Sequence, residues 1–75
     1  MKLNYYPETD SLYIDLLDAP STESEEVRPG IVLDFDTNGQ LVGIDVQNAS
    51  KHTDLTQLDI DNLPAKISAK TTEAA

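Results

Sequence analysis

Asp34, Asp36 and Asn38, followed at once by Gly39 and later by Asp45, repeat the ligand spacing of an EF-hand calcium loop. That chemistry needs oxygens from alternating positions, a glycine for the sharp turn and a final acid that grips with both oxygens. The final acid is usually the longer Glu, and here it is Asp45. The flanks do not suit the motif. Pro29-Gly30-Ile31-Val32-Leu33 is a poor entering helix, and residues 42–46 read as a strand. In a hairpin that sets Leu33 opposite Val42, Asp45 lies four residues beyond the position facing Asp34, about 13 Å away. A plain Asp-Asn-Gly turn is therefore preferred. Weak calcium binding by Asp34, Asp36 and Asn38, with water completing the shell, is the alternative.

Other reactive side chains lack companions. His52 is the single histidine, so one chain cannot build a multi-histidine metal site. It follows Lys51 in a polar stretch, where an exposed, partly titrating imidazole is expected, and no nucleophile stands beside it. Carboxylates pair at Asp34 and Asp36, at Glu23 with Glu25 and Glu26, and at Asp59 and Asp61. Acid–base work needs one of a pair desolvated and its pKa raised. A chain this small rarely encloses the cleft that does so, and solvated acids are the default. Asp15, between Ile14 and Leu16, belongs on a polar strand face. Tyr5, Tyr6 and Tyr13 offer rings for stacking, but basic residues do not interleave with them as RNA readers require. Gly30, Gly39 and Gly43 form no phosphate-binding loop; Gly43 relieves crowding across the sheet or admits a close backbone neighbour. No catalytic residue, metal or cofactor is assigned.

These side chains must be positioned by strands. Residues 3–6 and 12–17 form the first two, Leu12, Ile14 and Leu16 alternating with Tyr13 and Asp15. Pro7, Asp10 and Ser11 supply the turn between them. Residues 18–22 break the pattern. The almost wholly polar stretch 23–28 is a strand only at an edge or in solvent, because adjacent carboxylates cannot be buried cheaply. Pro29-Gly30 leads into the surest element, a hairpin of residues 31–35 and 41–46 around Asp36-Thr37-Asn38-Gly39. Ile31, Leu33 and Phe35 share one face of its first arm, and Val42, Ile44 and Val46 one face of its second. A four-residue loop places Leu33 across from Val42 and Ile31 across from Ile44; a slip by one residue would set apolar side chains against carboxylates.

Beyond Ser50 the pattern weakens. Thr53 caps a helix of one to two turns starting at Asp54, and an extended segment follows until Pro64. Leu55, Leu58, Ile60 and Leu63 then lie over the sheet. The expected fold class is α+β, mainly β: a small antiparallel meander of four to five strands with one short C-terminal helix packed on it. Residues 1–65 form a single domain and residues 66–75 a frayed tail.

The chain has 75 residues, no cysteine and a formal net charge of -9. A domain of this length buries only about 60% of the surface its unfolded chain exposes. Without disulfides or thiolate metal sites, a homodimer is the expected remedy. Net negative charge disfavours nucleic acid and anionic membrane surfaces and suits a basic protein partner. No signal core opens the chain, and no run approaches the ~18 apolar residues of a membrane span, so a cytoplasmic location is expected.

Three blocks carry a resemblance: Tyr5-Tyr6-Pro7-Glu8-Thr9-Asp10-Ser11-Leu12-Tyr13-Ile14, Pro29-Gly30-Ile31-Val32-Leu33-Asp34-Phe35-Asp36, and Asn38-Gly39-Gln40-Leu41-Val42-Gly43-Ile44-Asp45-Val46 with Asn48-Ala49-Ser50. In this order the chain resembles domain-of-unknown-function family 2283, a group of short, mostly bacterial proteins. The family more often has Glu where this chain has Asp45, and the C-terminal third matches loosely. The resemblance implies a small β-rich domain with no established reaction and no catalytic residues to transfer. Some relatives are encoded beside a small toxin-like protein, which implies an antitoxin-like or partner-binding role. The expectation is thus a self-associating, non-enzymatic protein-binding module, with a small-ligand or calcium-binding domain using the 34–38 loop as the alternative.

Overall fold

Alternating side chains fold most of residues 2–46 into strands: β1 (Lys2–Tyr6), β2 (Ser11–Asp15), β3 (Glu23–Arg28), β4 (Ile31–Phe35) and β5 (Leu41–Val46). One short helix, α1 (Ala49–His52), follows. These elements come from a computed structural model that describes residues 1–70. All pairings are antiparallel, and the sheet order is β1-β2-β5-β4-β3. The expected meander therefore holds for β3, β4 and β5 and for the β1–β2 hairpin, but not for the whole sheet. β5 pairs with both β2 and β4, so residues 16–22 carry the chain to the far edge before it returns. The polar stretch 23–28 is indeed an edge strand, exposed along its whole length. It joins β4 through Pro29 and Gly30, where Gly30 takes a φ of 84° that side-chain-bearing residues resist.

The β4–β5 register differs from the expected one by two residues. Leu33 faces Ile44, Ile31 faces Val46, and Asp34 faces Gly43. Two features account for the shift. The turn takes in Gln40, whose carbonyl accepts the Asp36 N–H at 2.9 Å. Val42 is then an extra residue in β5, because Phe35 pairs with Leu41 while Asp34 pairs with Gly43. The Val42 carbonyl accepts the N–H groups of Leu16 at 2.8 Å and Leu17 at 3.2 Å.

The helix also starts earlier than expected. Thr53 is its C-cap, not an N-cap, and Asp54 lies beyond it. Asn48 opens it in the left-handed region at φ 51° without a side-chain cap of its own. Asp10 does that work from the β1–β2 turn. Its carbonyl accepts the Ala49 N–H at 2.8 Å, and its carboxylate accepts the Ser50 N–H at 3.1 Å and the Ser50 hydroxyl at 2.6 Å. After Thr53 the described chain has no regular element. Leu58, Ile60 and Leu63 do approach Met1, Leu3 and Ile14, but only as the sides of an open groove. Residues 66–70 are exposed; the rest of the tail expected to fray lies outside the described residues.

Two unlike faces result. Leu3, Leu12, Ile14, Ile44, Leu33 and Ile31 lie on one, and Tyr13, Asp15, Asp45, Asp34 and Ser24 on the other. The buried core is small, consisting of Val42, Val46 and Ala49.

Candidate functional site

The polar face holds the best-organised group of side chains. Tyr13 on β2 reaches across β5 and donates its hydroxyl to Asp34 Oδ2 on β4 at 2.7 Å. Ser24 on β3 donates to Asp34 Oδ1 at 2.6 Å. The link is possible because Gly43 lies between the two strands without a side chain. A Cβ there would run into the Tyr13 hydroxyl and ring. Of the two roles open to Gly43 in the sequence, the structure gives it the relief of crowding. Three strands, β2, β4 and β3, are thereby laced across β5 by one tyrosine, one carboxylate and one serine.

Electrostatics fix the protonation of the phenol. The hydrogen bond to Asp34 pushes the Tyr13 pKa up to about 12, aided by loss of solvent and by the negative charges of Asp34, Asp15 and Asp45. At neutral pH the Tyr13 hydroxyl is therefore protonated and donates to Asp34.

The calcium candidates do not converge. Asp34 points its oxygens to Tyr13 and Ser24. Asp36 turns inward on its own loop, where Oδ1 accepts the N–H groups of Asn38 and Gln40, each at 2.9 Å. Asn38 itself is exposed. The observed register brings Asp45 opposite Val32, two residues from the partner of Asp34 instead of four. Separation along the strand, about 7 Å, is thus a weaker objection to the motif than expected. The strands on both sides of the loop and the committed oxygens of Asp34 replace it. No group of three or more His, Cys, Asp or Glu side chains placed to hold a metal occurs among the described residues.

The other acids are dispersed. Glu23 and Glu25 project at the β3 margin of the apolar face, while Glu26 lies on the polar side and accepts the Gly30 N–H at 3.3 Å. Asp59 and Asp61 are exposed beside the groove at Leu3 and Ile14. Asp15 is on the polar face, as its place between Ile14 and Leu16 suggested. His52 is exposed, near Gly30 at the end of α1.

Sequence reasoning missed a second cluster. Asp10 accepts the Tyr5 hydroxyl at 2.7 Å in addition to Ser50. The Ser50 and Tyr5 hydrogen bonds hold its carboxyl below the usual carboxylate range, and Asp10 in turn raises the Tyr5 phenol. The only local sign is Asp10 in a turn, and its φ of 52° suits an Asp.

A family model described as protein of unknown function (DUF2283) matches residues 2–50. No curated protein and no solved structure matches the chain. The matched span ends at Ser50, so it contains both hydrogen-bonded clusters and stops before the irregular segment.

Proposed function

We propose that this chain, which belongs to the protein family of unknown function DUF2283, is a non-enzymatic, self-associating module that binds a basic protein partner. One observation carries the reading: a single sheet covers its apolar face incompletely, leaving Leu12, Ile14, Ile44, Leu33 and Phe35 partly exposed, while its other face and its β3 edge display carboxylates. An incompletely covered apolar face calls for a further protein surface. A net charge of -9 favours a cationic partner and repels nucleic acid. The Tyr13–Asp34–Ser24 group supports a structural use of the polar face, since each member is occupied by another. An antitoxin-like role, in which an acidic protein neutralises a basic toxin in the cytoplasm, fits these surfaces. No helix among the described residues is long and apolar enough to cross a membrane.

The test is capture of partners by the full chain from its native cells, with chemical cross-linking to hold weak complexes. A basic protein released by salt, and lost when Glu23, Glu25 and Glu26 are all changed to Gln, is the expected result. Absence of any partner that responds to those changes would remove the basic-partner reading. Calcium binding makes a separate prediction: titration calorimetry with millimolar calcium should give no saturable heat, whereas saturable heat abolished by Asp36→Asn would restore the loop as a site.

A further inference from the structure

We infer that the apolar face is closed by a second copy of this chain, giving a two-layer sandwich of two identical sheets. The inference rests on the self-association proposed above and assigns the surface through which it occurs.

Cross-strand pairing places Ile14, Ile44 and Leu33 in one row across β2, β5 and β4. All three remain partly exposed, as do Leu12 and Phe35 near them. The chain covers this face in part: Val46, between Leu12 and Ile31, is buried, and a second segment lies along one flank. Leu58, Ile60 and Leu63 form the far wall of a groove of about 400 Å³ against Leu3 and Ile14, and they stay 68%, 41% and 40% exposed themselves.

Surface area gives the same answer. The chain exposes 6317 Å², whereas a folded monomer of its mass exposes about 4,500 Å². Part of the surplus belongs to the segment after His52. The whole is about 1,800 Å² and is shared with residues 53–70, all exposed, so only the part on the sheet counts towards the ~800 Å² that each partner brings to a standard interface.

The chemistry of the face selects the occupant. Its central row carries no charge, and its acids, Glu23 and Glu25, stand at the β3 margin. A basic protein would gain little from the centre and much from the margin and the opposite face. A second aliphatic sheet matches the centre, at the ~10 Å spacing of packed sheets. Such a pair turns both polar faces, with their Tyr13–Asp34 links, outward. Two-fold symmetry brings residues near the middle of the sheet close to their own copies, and Ile44, on the central strand, is such a residue.

Light scattering of the full chain should give twice the 8.2 kDa of one chain. Leu33→Glu should halve that mass while the β-sheet circular dichroism persists. The chain has no cysteine, so a single introduced thiol reports alone. Ile44→Cys should form a disulfide-linked dimer on mild oxidation, and Lys2→Cys, on the other face, should not. If Leu33→Glu unfolds, the thiol pair decides the matter. A dimer that resists Leu33→Glu and links through Lys2→Cys but not Ile44→Cys would overturn the assigned face and leave self-association standing. A monomer at every concentration would overturn both, with the chain's own segment after His52 as the remaining cover.

Discussion

Tyr13 is one side chain on which the sheet's polar face depends, and its phenol makes that dependence measurable. Its pKa is raised from 10.0 to about 12 in the folded chain. Between those values the folded state holds a proton that the unfolded state has lost, so stability is intact below pH 10 and falls as pH rises towards 12. Tyr13→Phe should remove most of that fall in urea melts across this window, while costing about 1 kcal/mol at neutral pH for the lost hydrogen bond. Gly43→Ala tests the same contact from beneath. Its methyl group would displace the ring, costing about 1–3 kcal/mol, and absorbance titration should show the Tyr13 phenol returning towards its ordinary range. The need for a small residue at position 43 could be suspected from a glycine inside a strand pattern. That Tyr13 fills the space could not, because the pairing of β2 with β5 joins strands 26 or more residues apart.

At the level of elements, periodicity shows strands clearly and register poorly. A slip by two residues keeps every side chain on its face, so the burial argument that pairs Leu33 with an apolar residue accepts Val42 and Ile44 equally. The choice depends on Gln40 joining the turn and on Val42 bulging, and neither leaves a mark in alternation. The helix illustrates another limit. Local capping rules point to Thr53 and Asp54, but the cap that operates is Asp10, from a turn distant in sequence that the β2–β5 pairing sets beside the end of β5. Its carboxyl is held below the ordinary 3.8 when folded. The stabilisation is therefore complete above that ordinary value and disappears as pH falls through the lower, folded one. Asp10→Ala should lower the melting temperature at neutral pH, and the difference from the parent chain should shrink under strong acid. Amide exchange at Ala49 and Ser50 should quicken in the same variant.

For the molecule as a whole, charge and topology set the behaviour. A net charge of -9 on 75 residues opposes compaction. Salt shortens the reach of that repulsion from about 30 Å at 0.01 M to about 8 Å at physiological strength. Thermal melts should accordingly shift upward over this range, and a downward shift would mean that favourable ion pairing outweighs repulsion. Composition disclosed this balance fully, while the strand order was hidden, since nothing local announces that residues 16–22 cross to the far edge. Placing β5 between β2 and β4 also dictates when the fold can exist. Until residue 46 has left the ribosome, the nascent protein owns two separate ribbons with no seam between them. A chain halted near residue 40 should behave as a largely unstructured polypeptide, and the closing strand, made last of the five, acts as the keystone of synthesis.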